Sequence, residues 1–281
     1  GVSVGIALLT QPSDTQDPDS LLRKADMALY QAKQQGRGRY AFYTDALGLR
    51  LVKKTVNQDD VSAYHLFYAD GLASPGTDIT FFDWPAAPER RGTRSISRTG
   101  LRVAEASLDY WAARLRDEGV SARPIAQVDG RATLDFEDPE GQRLRLTADA
   151  GHGASARPWD RSPVPAQHQI LGLGPITMAV RDLAPTRAVL TDVMNMRETA
   201  EYADPDAGAD GTAAGARVHV FEMGPGETAA ELHVSVQPSQ ASAAQGAGGV
   251  HHVAFRVPDA PSLLAWSRRV ADHGMRTTGE I

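Results

Sequence analysis

The chain has 281 residues, 42% of them hydrophobic, with no cysteine and a formal net charge of −6. Such a length suggests about two domains. The acidic balance argues against nucleic acid or an anionic membrane surface as the main partner, and the lack of cysteine excludes disulfides and thiolate metal sites. No run approaches the roughly 18 apolar residues of a membrane span. The sequence opens at Gly1 inside a strand-like pattern, without a secretory signal, and stops at Ile281 in mid-pattern. The expectation is a soluble, cytoplasmic fragment with both ends cut.

Taken in chain order, residues 1–9 read as a buried strand and 10–16 as a polar loop. Asp17-Pro18 places an N-cap before a proline at the first helical position. Leu22, Ala25, Leu29 and Ala32 recur at helical spacing, and Gly36 ends the helix. Residues 40–43 read as a returning strand. A strand–helix–strand unit of this size is too small to bury a core alone. Within it, the run LLRKADMALYQAKQQGRGR at residues 21–39 resembles the C-terminal end of a GGDEF domain, the diguanylate cyclase fold. The resemblance implies that Lys33 and Arg37 descend from positions near a nucleotide triphosphate. The signature turn and metal carboxylates of that family are absent, so both cations read here as solvated surface charges.

Beyond residue 43 the chain repeats itself. Residues 108–120 and 263–275 place Leu, Trp and Gly in one register: Leu108, Trp111 and Gly119, then Leu263, Trp266 and Gly274. A third copy spans 176–196, where a strand leads through Arg181-Asp182 into a helix. A partial copy spans 42–52. Asp138-Pro139-Glu140-Gly141 is a tight turn between two alternating runs, a hairpin signal. Each unit reads as strand, helix, then strands, with one apolar sheet face that must pair with another unit. The fold class is therefore α+β, built from paired βαβββ modules of which the first and last are incomplete. Residues 158–165 read as a proline-rich linker, and 203–216 and 237–249 as mobile loops.

Several runs are more specific than the plan: LVKKTVNQDD at 51–60, SPGTDITFF at 74–82, and VHHVAFRV at 250–257. With the modules they resemble the vicinal oxygen chelate superfamily, in particular its hydroquinone-type ring-cleaving dioxygenases. The division expected is 1–43 for the GGDEF remnant, 44–149 for a first half, 150–172 for a linker and 173–281 for a second half. The resemblance implies non-haem Fe(II), or in some members Mn(II), held by two histidines and a carboxylate, with open positions for the ring oxygens and O₂. It makes His252 a metal ligand and His251 its neighbour in the site, orienting the substrate or relaying a proton. Alternation along a strand would set His252, Ala254 and Arg256 on one face.

The other two ligands have no counterpart. The family's first histidine precedes the FYTDALGL segment at 42–49, where this chain carries the GGDEF-like piece, and the carboxylate position falls beyond Ile281. The expectation is that this chain binds no iron and cleaves no ring. A surrogate site at Glu231 and His233, two apart on a strand with His219 and Glu222 nearby, is the alternative; Arg145 stands where related modules carry a metal glutamate. His65, His152, His168 and His273 read as surface or core histidines. The two resemblances overlap on Phe42-Tyr43, which points to a junction, natural or artefactual, between Phe42 and Leu47. The implied partners are a small aromatic molecule and O₂, with neither nucleic acid nor membrane, and self-association through an exposed sheet edge. Three functions compete: a ring-cleaving dioxygenase relic, a metal-free aromatic-binding module, and a nucleotide-signalling remnant.

Overall fold

A computed structural model describes residues 42–57, 61–149, 156–208 and 214–277. The readings made on residues 1–41, among them Lys33 and Arg37, and that of His152 lie outside the described residues.

The strand expected over residues 40–43 is corrected at its described end: Phe42 and Tyr43 open a helical turn, Phe42–Ala46. A strand would send neighbouring side chains to opposite faces, whereas both rings enter one core. Tyr43 packs on Phe81 at 4.4 Å and Tyr68 at 5.5 Å, and Phe42 on Phe136 at 6.3 Å. The wide turn closes through Leu47 N–H to the Phe42 carbonyl and Leu49 N–H to that of Tyr43, both 2.9 Å. Three antiparallel strands follow, β1 Arg50–Val56, β2 Tyr64–Ala69 and β3 Ile79–Phe82, in the order β1-β2-β3.

The next two units carry the full βαβββ plan. The second is β4 Ser95–Ala104, α1 Leu108–Asp117, β5 Ala126–Val128, β6 Arg131–Glu137 and β7 Arg143–Asp149. The third is β8 Gly172–Val180, α2 Leu183–Ala188 running into a π-turn Val189–Val193, β9 Arg197–Ala203, β10 Arg217–Glu222 and β11 Glu231–Val236. Together they form one eight-stranded sheet, β5-β6-β7-β4-β8-β11-β10-β9. The order is a palindrome: each unit places its opening strand beside its last, in parallel, and the two opening strands meet antiparallel at the centre. The sheet thus pairs the second unit with the third across residues 150–172. At that seam Gly100 has no room for a side chain, since a Cβ would lie 2.4 Å from the Pro175 carbonyl oxygen.

The larger core packs Trp111, Leu115 and Leu108 of α1 onto Leu101, Leu134 and Leu144 of the sheet, with Tyr43 and Leu47 joining from the first unit. Trp111 Nε1–H donates to the His168 carbonyl at 2.9 Å, which satisfies the buried indole. A smaller core gathers Leu190, Met196, Phe221, Leu232 and Val234.

Three connecting segments are anchored by contacts elsewhere. In the linker 158–165, Val164 is buried and Ser162 Oγ–H donates to the Gly48 carbonyl at 2.8 Å. Residues 237–249 are laced to 88–93 by paired backbone bonds, Arg90 with Ala244 and Thr93 with Ala241 and Ala243. The loop after β9 buries Asp204 and Asp206. In each case contacts with distant segments anchor part of the stretch among the described residues.

The last unit differs from expectation. Residues 251–257 are not a strand, because no strand of the described residues offers them a ladder; only Val250 bridges to Ile96. Their alternation survives: Val253, Phe255 and Val257 are half-buried, while His252, Ala254 and Arg256 are exposed. Helix α3, Ala260–Asp272, starts where Asp259 accepts from Ser262 N–H at 2.8 Å. It buries no residue, so Trp266 shares the register of Trp111 but not its burial. Arg269 moors the helix by donating to the Val193 and Asp192 carbonyls, both at 2.6 Å.

Candidate aromatic-binding site

The site follows from the alternation of β2. Leu66 and Tyr68 point into the core, which turns His65 and Phe67 to the other face. In β3, Ile79 and Phe81 face the core and Thr80 and Phe82 the other side. The antiparallel register sets His65 opposite Phe82, so their rings meet at 4.4 Å, with His65 also 4.1 Å from Phe67. Phe82 stacks on Trp84 at 4.5 Å and 28°. The outcome is a continuous ring-lined wall.

Across from that wall lie His251 and His252. Their Nδ1 atoms are 2.9 Å apart, and the His251 ring is 6.1 Å from Phe82 and 6.4 Å from Trp84. The wall and this segment border an open cavity of about 680 Å³, lined also by Leu173, Ile176 and Phe255, with Asp78, Gln142 and Arg256 as polar members. Burial, then the neighbouring His252 and Lys53, hold His65 below the ordinary histidine pKa. Burial and His251 do the same to His252. Burial, reinforced by Asp70, raises the Asp78 carboxyl. The cavity is thus apolar, ring-lined and edged by hydrogen-bonding groups, the build of a small-molecule site.

A facial iron site needs two histidines and a carboxylate converging on one point. Among the described residues, one place brings three ligand-type atoms within 4.8 Å of one another: Asp129, Glu231 and His233. It lies inside the eight-stranded sheet, and a guanidinium already fills it. Arg131 donates to Glu231 at 2.9 and 2.7 Å and to Asp129 at 2.8 Å. His233 bridges Glu231 Oε2 through Nε2 at 2.9 Å and Tyr202 OH through Nδ1 at 2.8 Å. His233 is 3% exposed and Glu231 is half-buried beside it on β11. His219 and Glu222 stay apart, bound to Glu198 and Arg197. Arg145 makes a two-pronged bond to Asp135 at 2.6 and 2.8 Å. Arg98 and Arg123 hold Asp206 at 2.9 and 2.6 Å. In neither this charged interior nor the cavity do two histidines and a carboxylate converge on one point among the described residues.

The structure thus brings the expected pair His251 and His252 together and adds His65, which reads from sequence as an ordinary surface or core histidine. The signal for it was available: in YHLFYA the alternation puts His65 on the face away from the core. His168 stacks on Tyr110 at 4.2 Å and meets Ser107 Oγ at 2.9 Å, and His273 bonds the Arg269 carbonyl at 2.8 Å; both are structural.

The class this fold defines is that of paired βαβββ modules, and the comparisons agree. Residues 39–146 and 176–280 each match a family model of the Glyoxalase/Bleomycin resistance protein/Dioxygenase superfamily, and residues 1–39 match the Diguanylate cyclase, GGDEF domain. A Bacillus subtilis protein named "Putative ring-cleaving dioxygenase MhqA" is 42% identical over 242 residues, covering 85% of this chain and 74% of its own. The "Chlorohydroquinone/hydroquinone 1,2-dioxygenase" of Sphingobium indicum is 25% identical over 232 residues, covering 81% and 68%. A crystal structure of a dioxygenase-class protein from Bacillus subtilis, so described with the qualifier "putative", superposes with a TM-score of 0.70 at 28% identity, covering 83% and 70%. The chain belongs to the glyoxalase/bleomycin resistance/dioxygenase superfamily, and a GGDEF-type segment precedes that part of it.

Proposed function

We propose that the chain binds hydroquinone- or catechol-type aromatics in the His65–His251–His252 cavity, as a relic of a ring-cleaving dioxygenase that does not turn them over. The observation that carries this is the ring-lined wall of Phe67, His65, Phe82 and Trp84 facing an imidazole pair. The activities in the relatives' names, ring cleavage and hydroquinone dioxygenation, support the substrate class. In such enzymes Fe(II), or Mn(II), would supply the meeting point for ring oxygens and O₂. His252 is assigned to the ligand position, and His251 to orienting or deprotonating the bound hydroxyl. One imidazole does not hold iron, and no second histidine with a carboxylate converges on His252 among the described residues. Hydroquinone titration followed by Trp84 fluorescence tests the binding; absence of binding sinks the reading. Metal analysis with oxygen uptake tests the rest: stoichiometric iron with turnover would show a working enzyme.

The meeting of two family matches at residue 39 supports a junction in the chain close to Phe42–Leu47. It also favours a second, lesser reading, a nucleotide-signalling remnant in residues 1–39 using Lys33 and Arg37. GTP binding that is lost on charge removal at Lys33 and Arg37 would support it, and no binding would end it.

A further inference from the structure

We propose that His65 is the specificity-determining residue of this cavity, pairing through Nε2 with a hydroxyl of the bound aromatic and so selecting hydroxylated rings over bare ones. The inference rests on the aromatic-site reading and adds a residue that the resemblance does not assign.

Three observations converge on it. The His65 ring is packed against two neighbours, Phe67 at 4.1 Å along its own strand and Phe82 at 4.4 Å across the ladder, which restricts its orientation. Its Nε2 is screened from solvent and meets no hydrogen-bond partner among the described residues. His65 also lines the cavity together with His251 and His252. A buried polar atom without a partner is costly and is not expected to persist without a use. Packing does not account for it, because a phenylalanine would stack on Phe67 and Phe82 as well and leave no orphan nitrogen. The nearest cation on this face does not serve it either: Lys53 Nζ sits over the Phe67 ring at 5.1 Å. Burial first, then His252 and Lys53, hold its pKa below the ordinary histidine value, which favours the neutral ring with one nitrogen as an acceptor. A phenolic O–H is the donor that complements such an atom inside a ring-lined cavity, and a methyl group in its place would leave the nitrogen unpaired.

The experiment compares hydroquinone with p-xylene, in which methyl groups replace both hydroxyls, on the full chain and on His65→Phe. Calorimetry should show the native chain binding hydroquinone more tightly than p-xylene. His65→Phe should bind hydroquinone about tenfold more weakly, near the upper end for one hydrogen bond, and p-xylene unchanged. Unchanged hydroquinone affinity, or equal loss for both ligands, overturns the role of His65 while leaving the aromatic site standing. Failure of the native chain to bind either ligand overturns the site and this role together. A second readout needs no variant: in ¹⁵N spectra the His65 Nε2 resonance should shift on adding hydroquinone but not p-xylene. A resonance that ignores hydroquinone while binding proceeds refutes the contact.

Discussion

Asp206 shows how much a single carboxylate can organise. It sits in the loop after β9, 6% exposed in its side chain, with Arg98, Arg123 and Arg143 at 2.9, 2.6 and 3.8 Å. Burial alone would raise its pKa; the charge and hydrogen bonds of Arg98 and Arg123 outweigh that and hold it far below the usual carboxylate range. Burial likewise opposes, and partners likewise win, at Asp135 through Arg145 and Arg98, and at Glu231 through His233 and Arg131. A lowered folded-state pKa means that the unfolded chain binds protons first as pH falls. The stability these groups contribute is full above the ordinary carboxylate pKa of about 4 and is lost as pH falls below it. Urea midpoints should therefore hold between pH 7 and about pH 5 and drop steeply below about pH 4. Asp206→Asn at pH 7 should cost roughly 1–3 kcal/mol, the effect of losing charge-assisted bonds from Arg98, which keeps Asp135 at 3.5 Å, and from the half-exposed Arg123, read from urea unfolding. Tyr202 acts at the other extreme. Burial first, and nearby acidic groups, push it up to about 12, so its contribution is present below about pH 10 and disappears as pH rises towards the folded value. An alkaline absorbance titration should show a late phenol phase, and Tyr202→Phe should lose that phase.

At the scale of elements, the β4–β8 seam and the segment 251–257 behave oppositely. The seam is a close antiparallel crossing that admits no side chain at Gly100. Gly100→Val should destabilise the fold by at least about 1–3 kcal/mol through overpacking against backbone, measured by thermal or urea unfolding. Residues 251–257 have no ladder, so their amides should exchange within the fastest class in hydrogen-exchange mass spectrometry, while those of β4 and β8 persist. Protection equal to that of β8 would contradict the described arrangement. The hairpin at Asp138 was legible in sequence because its cause is local: Asp138 Oδ1 accepts from Glu140 and Gln142 N–H at 2.9 and 2.8 Å, and Gly141 adopts φ +88°. The 251–257 run was half legible. Alternation is written in adjacent residues, but a ladder needs a neighbour contributed from elsewhere. The strap at 237–249 was illegible for the same reason. Its glycines read as mobility, yet Gly248 permits close approach, with a Cβ that would fall 2.2 Å from the Glu140 carbonyl oxygen.

At the scale of the whole molecule, two module pairings have separate fates. The pair of second and third units has become a solid, its interior crossed by Arg98, Arg131 and Arg145 with their carboxylates. The first and last units frame a cavity instead. Ligand binding should stabilise the native chain by linkage, about 2.7 kcal/mol at a hydroquinone concentration of 100 Kd, whereas EDTA should leave the unfolding curve unmoved. A melting point lowered by EDTA would point to a structural or catalytic metal. The outer edge of β3 has no strand beside it among the described residues, and open edges invite pairing; self-association through it is a proposal that sedimentation at rising concentration checks.

What the residues determined by themselves was local and repetitive: the helix of Trp111 with its Gly119 end, the Asp138 turn, the alternation around His252, and the family these runs share. Spacing and turn chemistry act over a few residues, so they are readable without a fold. Tertiary structure alone decided that the second unit pairs with the third, that Glu231 and His233 are closed around Arg131, and that His65 stands with His251 and His252. Each of these joins residues between about 75 and 190 positions apart in a chain whose contacts are set by sheet register, and register is a property of two strands rather than of either one.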